Sequence, residues 1–575
     1  MIAFLSRLFR LLRLCASGPR GRVGLLYLAA VLGLGFLGIW ITVRMIAWSA
    51  AFYNAIQRVD GPEILTQIGV FGLLISASAT LYLVGRYLQK LLEITWRQRL
   101  TEIALDRWLS DHAYWRLRAG NGSGVEIDNP DQRVAEDCRI FVERATGEGI
   151  DFVNAVVAVV SYFTVLWGLS TFTLAFEVAG VHVEIPRYMV WAAPIYVALS
   201  SGLTHWLGAP LKPLNFEQQK READFRFALA HLRESAEAVA LHRGEAAERR
   251  SLDQRFAAIA ANWRSLINRE LILGCFTRPY HQTVLRIPMF LALPAFIAGK
   301  VTLGGLMQVA QAFSNVVTTL SWFIFSYRDL AELAATASRL DHFMAATDSA
   351  RASPSEIVVA PSSDGFLRVE GLRLRSPDGT EIADIPDFAV GPGECLWISG
   401  PSGFGKSTLL KAIAGFWRHG SGAIGIPEGN MSFLPQRPYV PLGGLAAAAA
   451  YPDMPEDSAE QVRHVLDGLG ATNKSIGDSA PTQASATAQL GLSGGELQKL
   501  ALRRLQEKGS AWVLLDEPTS ALDDESERAH LSAFRRRLPD ASIIIVSHQR
   551  PKGISNLKEL AFRTNPDLGR CSPVS

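Results

Sequence analysis

The chain has 575 residues, 49% of them hydrophobic and only 19% charged, with a mean hydropathy of +0.15. Soluble domains carry about 25% charged residues, so a wholly water-soluble protein is excluded, and a net charge of +2 excludes a global basic field for nucleic acid. Cys15, Cys138, Cys275, Cys395 and Cys571 stand far apart with no CxxC pair, which excludes a disulfide scaffold or a thiolate metal cluster as the organising principle.

Residues 1–14 set Phe4, Leu5, Leu8 and Leu12 against Arg7, Arg10 and Arg13, the pattern of a short amphipathic helix on the inner membrane surface. Val23 to Val43 follows without a charge, about 31 Å of helix and thus the thickness of a hydrocarbon core. A secretory signal also starts basic and then apolar, but this run exceeds the usual apolar region of about 7–15 residues and lacks a convincing cleavage site. Ile64–Gly85, Phe152–Phe176 and Val301–Tyr327 are similarly uncharged, and Tyr188–Leu211 carries only His205. A weaker candidate, Thr277–Gly299, is interrupted by Arg278 and Arg286. Counting it gives six spans; omitting it gives five and puts the two chain ends on opposite sides. Arg7, Arg10, Arg13, Arg20 and Arg22 keep the first end cytoplasmic.

Two connections, Arg86–Asp151 and Lys212–Glu270, are long and densely charged. The helical spacing of Leu100, Ile103, Ala104, Arg107 and Trp108 predicts that spanning helices continue into the cytosol. Asn129-Pro130 breaks a helix, placing Asp128, Asp131, Arg133, Glu136 and Asp137 at a cytoplasmic turn, either solvated or docked on a soluble domain. In the last span Gln308, Gln311, Asn315, Thr318 and Trp322 recur every three or four residues and share one helical face. Amides are costly against lipid, so that face should meet a cavity or another helix; Asn154, Ser161 and Thr164 form a weaker stripe. Arg286 either meets an anionic substrate or marks the cytoplasmic boundary.

After about Leu340 the composition changes. Ala350 to Asp364 is rich in Ser, Pro and Ala and reads as a linker. From Phe366 onward, β-rich runs (Glu394–Ser399, Ala511–Leu515, Ser542–Val546) alternate with helical ones (Thr408–Ala414, Ala529–Leu538), predicting an α/β domain with a mainly parallel sheet. Gly400-Pro401-Ser402-Gly403-Phe404-Gly405-Lys406-Ser407 fits the phosphate-loop pattern, between a strand and the helix opened by Thr408. Its backbone N–H groups form an anion site, with Lys406 reaching the β- and γ-phosphates and Ser407 a Mg²⁺ ion. The apolar strand Ala511–Leu515 ends in Asp516 and Glu517: Asp516 would hold the Mg²⁺ hydration shell, and Glu517 would orient or deprotonate the attacking water. Ser493-Gly494-Gly495 opens a further helix, a second phosphate-accepting N-terminus or a plain cap.

Together the phosphate loop, Leu492 to Glu496, Leu514 to Asp523 and the strand ending in Ser547-His548 resemble the nucleotide-binding domain of an ATP-binding cassette protein. The resemblance implies that Gln436 senses the γ-phosphate, serves the Mg²⁺ site and meets the membrane domain. It also implies that His548 contacts the γ-phosphate and that Asp523 communicates across a dimer. The family usually stacks an aromatic on adenine upstream of the loop; Ser376 stands near that place here, which implies looser nucleotide selectivity. In the membrane half, Phe52 to Gln57, Ile127 to Arg133 with Glu136-Asp137, Leu214 to Gln219 with Arg221 to Arg226, and Leu303 to Gln308 resemble the branch containing peroxisomal fatty-acyl-CoA transporters and bacterial SbmA/BacA-like transporters. Ala240 to Glu245 resembles that branch's cytoplasmic coupling motif.

The expectation is therefore an exporter-type membrane all-α domain of six helices (1–345), a linker (346–365) and an α/β P-loop nucleotide-binding domain (366–575). The resemblance implies an ATP-hydrolysing half-transporter that uses ATP and Mg²⁺ and dimerises with an identical or related subunit. It would sit in a cell inner membrane as a multi-pass protein, with the nucleotide-binding domain and both termini cytoplasmic. Its cargo would be a hydrophilic or amphiphilic solute such as cobalamin, a peptide or fatty acyl-CoA, with no nucleic-acid partner. The rival expectation is a membrane regulatory or signalling component that hydrolyses ATP without moving solute.

Overall fold

The computed structural model describes residues 2–117, 129–178, 181–283, 286–442, 444–453, 493–565 and 570–572; Asp128 and Leu492 lie outside them. Two compact units emerge: Met1–Leu105 with Asn129–His342, and Asp106–Asp128 with Phe343–Ser575.

In the first unit, α1 (Ile2–Cys15) buries Leu11 and Cys15 and exposes Leu5 and Phe9. Arg7 and Arg10 donate to Ser338 and Asp341, both at 2.9 Å. α2 (Gly18–Arg58) carries a proline in its first turn, where the missing N–H costs nothing. α3 (Gly61–Leu109) runs on into the second unit, which also holds α4 (Ala113–Arg116). Asn129, at a left-handed φ of 47°, and Pro130 start α5 (Pro130–Gln132), so the predicted break is present. A π-type turn, Arg133–Asp137, leads into α6 (Cys138–Leu169). Asp137 of the acidic cluster is buried and held by Arg339 (2.6 and 2.9 Å) and Arg133 (2.7 Å).

Among the described residues, three helical stretches are long and apolar enough to cross a membrane: Gly18–Arg58, Gly61–Arg116 and Pro130–Leu169. No more than 17% of each apolar window is buried, as befits surfaces covered by lipid. The third is shorter than the uncharged run suggested. Its helix stops at Leu169, and β1 (Thr173–Val178) pairs antiparallel with β2 (Val181–Pro186), because Ser170, Thr171 and Thr173 favour extended backbone over helix.

α7 (Tyr188–Gly208) holds the fourth run. Three charged helices follow: α8 (Leu211–Glu234), α9 (Ala236–His242) and α10 (Glu245–Thr283). α8 and α10 are locked by buried Asn262, which donates to the Leu214 carbonyl (3.0 Å) and Gln218 Oε1 (2.9 Å). The Ala240–Glu245 motif spans the break between α9 and α10, with Arg243 left-handed. The interrupted candidate Thr277–Gly299 comprises the end of α10 and α11 (Ile287–Ile297); Pro288 stands in the first turn of α11, while Pro279 and Pro294 lie inside the two helices. Arg286 caps α11 and is exposed.

α12 (Leu303–Leu320) is heavily enclosed, burying Val309, Phe313, Val316 and Val317. Its N-terminal amides are satisfied by α2: Leu303 N–H donates to Gln57 (3.2 Å) and Gly304 N–H to Asn54 (3.1 Å). A Cβ on Gly304 would lie 2.2 Å from the Ala50 carbonyl, so two of the family-like motifs meet here at backbone contact distance. Gln308, Gln311 and Asn315 are half-buried and Thr318 exposed. The polar stripe ends there, because Ser321 closes α12 and Trp322 opens α13 (Trp322–Ala352).

In the second unit the expected linker is largely ordered structure. α13 continues to Ala352, and β3 (Val358–Pro361) pairs with β8 (Gly420–Ile426), because Pro354 stops the helix and Val358-Val359 favour a strand. β4 (Leu367–Arg375) lies beside β8 and pairs antiparallel with β5 (Glu381–Asp384) and β6 (Phe388–Val390). The other sheet is all parallel, ordered β12-β7-β11-β10-β9: Leu557–Ala561, Cys395–Ser399, Ser542–Val546, Trp512–Asp516 and Met431–Leu434. β7 and β11 are buried at every residue, the continuous apolar pattern of a sheet covered on both faces. Helices α14 (Lys406–Ile413), α15 (Gly444–Ala450), α16 (Gly494–Lys508) and α17 (Asp524–Arg537) complete the unit. The chain from Asp106 onward belongs here through Arg107–Asp348 (3.0 Å), Arg116 to the Ala350 carbonyl (2.8 Å), and the His112 ring 4.8 Å from Phe416.

Candidate nucleotide site

Ligands of parallel sheets gather at the carboxyl ends of the strands, and here those ends carry the predicted residues. β7 delivers the phosphate loop, β10 ends in Asp516, and β11 leads to Ser547-His548. The loop turns through positive φ at Gly400 (149°), Gly403 (84°) and Gly405 (77°), which a side chain would resist. A Cβ on Gly400 would also lie 2.8 Å from the Phe562 carbonyl. α14 begins at Lys406, earlier than Thr408, because Gly405 serves as its N-cap.

Lys406 is 6% exposed and donates to the loop's own Gly400 and Pro401 carbonyls at 2.7 and 2.6 Å. Ser402 and Phe404 stay within the loop, and Thr408 lies in the first turn of α14. Ser407 Oγ donates to Asp516 Oδ1 at 3.0 Å. Burial pushes the Asp516 carboxyl above the ordinary carboxylate range; the Ser407 hydroxyl pulls it down and the neighbouring Glu517 charge pushes it up. A hydroxyl and a carboxylate at hydrogen-bond distance, with the Gln436 amide nearby on Glu517, form a hard oxygen set of few ligands. That suits Mg²⁺, which is held by one or two carboxylates plus substrate phosphates.

Glu517 is backbone-strained, with φ 47° and its N–H donating to the Val546 carbonyl at 2.8 Å. Such a conformation costs of order 1 kcal/mol or more and persists where the surroundings over-determine it. Gln436 Nε2 donates to Glu517 Oε2 at 2.8 Å, and His548 Nε2 lies 3.2 Å from Oε1. The structure thus gathers Lys406, Ser407, Asp516, Glu517, Gln436 and His548 around the mouth of the phosphate loop.

Ser493, Gly494, Gly495 and Asp523 form a second group. Ser493 and Glu496 make a reciprocal capping box, so the plain-cap reading of Ser493 is real. A Cβ on Gly495 would sit 3.2 Å from the Ala521 carbonyl; the two glycines let the start of α16 approach the loop before Asp523. Asp523 caps α17, and the Ser526 hydroxyl and N–H hold its carboxyl below the usual range.

Sequence reasoning missed Gln498. It is 4% exposed on α16 and binds both ends of the intervening loop, donating to Ser520 Oγ (3.0 Å) and the Glu517 carbonyl (3.5 Å) and accepting from Ala521 N–H (3.0 Å). The available signal was an amide on the apolar face made by Leu497, Leu500 and Ala501. Gln498→Leu leaves buried groups unpaired, a cost of about 1–3 kcal/mol each. Its expected result is a kcat for ATP hydrolysis lowered about tenfold with KM nearly unchanged, checked by steady-state ATPase kinetics.

A family model described as ABC transporter transmembrane region 2 matches residues 11–297, and one described as ABC transporter matches residues 384–520. The inner membrane ABC transporter ATP-binding protein YddA of Escherichia coli K12 is 33% identical over 538 residues, covering 93% of this chain and 92% of its own. The human lysosomal cobalamin transporter ABCD4 is 26% identical over 572 residues, covering 92% and 89%. In fold, the chain is similar to a bacterial Atm1-family ABC exporter solved with ATP bound, at a TM-score of 0.68, 16% identity and 91% coverage of both chains.

Proposed function

Because this chain belongs to the ABC transporter family, with membrane region and ATPase fused in one polypeptide, we propose that it is a half-transporter working as a dimer in a bacterial inner membrane, with its ATPase domain and both termini cytoplasmic. The observation that carries the reading is the clamp of Gln436 and His548 on Glu517, beside Lys406, Ser407 and Asp516. Mg²⁺, when bound by Ser407 and Asp516, would neutralise phosphate charge. Lys406 exchanges its loop carbonyls for phosphate oxygens. Gln436 and His548 turn from Glu517 toward the γ-phosphate, leaving its carboxylate to take a proton from water.

The dimer is supported by large apolar side chains on the charged helices α8 and α9, which contain no uncharged apolar run of spanning length. Phe216, Phe227 and Leu241 are 71, 73 and 78% exposed, and a second subunit of the same kind would cover them. In such a dimer Ser493 and Gly494 of one chain would complete the nucleotide site of the other. The domain roles follow 1–345 for the membrane region, 346–365 for its junction and 366–575 for the ATPase. Turns at Asp128–Arg133 and Ala240–Glu245 would pass closure on to the helices. Within the second unit the segment continuing α3 packs His112 and Trp115 on Phe416, just beyond α14, which supports a further route from phosphate loop to spanning helix.

For the cargo, the half-buried amides of α12 favour a hydrophilic or amphiphilic solute. Cobalamin comes first because one relative is a cobalamin transporter; a peptide or fatty acyl-CoA, from the SbmA/BacA-like and peroxisomal resemblance, comes next. Proteoliposomes with ATP and Mg²⁺ are expected to accumulate labelled cobalamin, and Glu517→Gln vesicles are not. ATPase activity without accumulation, and without stimulation by any of the three cargoes, would favour the regulatory rival.

A further inference from the structure

Away from the nucleotide site, a cavity of about 470 Å³ opens between α3, α6 and α13 of the first unit. Its lining is charged, and most of the charge is already neutralised inside it. Lys90 pairs with Glu93 at 2.5 Å and Arg139 with Glu143 at 3.1 Å. Arg144 pairs with Glu332 at 2.9 Å and with nearby Asp329 at 3.1 Å.

Two lining groups of opposite sign are left over. Arg86 donates to Gln89 at 3.0 Å and feels the charge of Asp151, but among the described residues no carboxylate is within ion-pair distance of it. Glu148 has the Ser326 hydroxyl as a hydrogen-bond partner, but its Oε2 is buried without one. A buried carboxylate oxygen without a donor is costly, so the cavity lacks one N–H donor at Glu148 and one anion at Arg86. Gly147, beside Glu148, keeps this wall open: a Cβ there would meet nothing nearer than Gln89 Nε2 at 3.9 Å.

The location narrows the ligand. Arg86 directly follows the uncharged run Ile64–Gly85, and Glu148 stands one turn before the run beginning at Phe152. The cavity therefore lies at the rim of the apolar zone, where phospholipid headgroups reside. We propose that it binds a zwitterion of the phosphoethanolamine type, its ammonium donating to Glu148 Oε2 and its phosphate paired with Arg86. A trimethylated ammonium carries the same charge but no N–H, so it cannot satisfy Glu148. The guanidinium suits phosphate because its fork matches phosphate oxygens.

The test uses the full chain in detergent without nucleotide, so its outcome is separate from the transport reading. Thermal unfolding is followed in titrations with short-chain phosphatidylethanolamine, the matching phosphatidylcholine, and soluble O-phosphoethanolamine. The wild type is expected to bind the ethanolamine lipid about tenfold or more tightly than the choline lipid, the worth of one charge-assisted hydrogen bond. Glu148→Met, which removes the acceptor, should bring that ratio to about one, and Arg86→Gln should weaken both lipids alike. O-phosphoethanolamine binding as tightly as the lipid assigns the site to a soluble zwitterion; lipid binding alone assigns it to the leaflet. Equal affinity for the two lipids, or no binding of any probe, overturns the proposal on the wild type alone, as does a preference that survives in Glu148→Met.

Discussion

Glu517→Gln is expected to lower kcat for ATP hydrolysis about 10³-fold, within the range for loss of a positioned general base, while leaving ATP affinity within about twofold of wild type. The substitution keeps the shape of the side chain and can still accept from Gln436, so the strained backbone at φ 47° and its bond to Val546 should persist. What disappears is the carboxylate that takes the proton. Single-turnover hydrolysis with parallel equilibrium binding of ATP separates these effects. Turnover near the wild-type rate would remove Glu517 from the reaction, and lost binding would assign it a structural role.

Lys406→Ala is expected to act on binding instead, raising the Kd for ATP about 100-fold or more. The ammonium is nearly enclosed and makes two hydrogen bonds to the loop. On binding, these neutral carbonyl acceptors are exchanged for charged phosphate oxygens, and a gain of ~2.7 kcal/mol from that exchange gives the hundredfold. Binding of a fluorescent ATP analogue measures it, with thermal unfolding showing that the variant remains folded. An unchanged Kd would mean that the loop amides alone hold the phosphates.

The two variants separate chemistry from binding, and Gln498→Leu separates both from loop position. Gln498 touches no residue of the phosphate loop in the hydrogen bonds it makes; it ties α16 to the backbone between Glu517 and Ala521. Its loss should therefore be felt where that loop presents Glu517.

The nucleotide half was largely legible in the sequence. Glycines at 400, 403 and 405 are needed because the backbone itself turns through positive φ, and a buried strand ending in Asp516-Glu517 places acids where a parallel sheet opens. The membrane half was legible in charge and apolarity and less so in extent. Helix α6 stops at Leu169 because hydroxyl and β-branched residues begin there, and Pro288 opens a second helix within the Thr277–Gly299 stretch. Trp322 continued the polar periodicity of its neighbours but belongs to the next helix, since Ser321 interposes a break. The Ser-, Pro- and Ala-rich junction looked like a linker, yet Val358–Pro361 gains an edge pairing with β8 that composition alone does not reveal.

By itself the sequence determined the phosphate loop, the acids that follow β10, the apolar runs and the family, since each depends on residues close together in the chain or on a short local conformation. Only the tertiary structure decided that Gln436 and His548 clamp Glu517, that Gln498 anchors its loop, that Asn54 and Gln57 cap α12, and that Arg86 and Glu148 are left over in a charged cavity. Those contacts join residues from about 20 to about 250 positions apart. Whether a charged or polar group is satisfied depends on what the fold brings within about 3 Å of it, which no local pattern records.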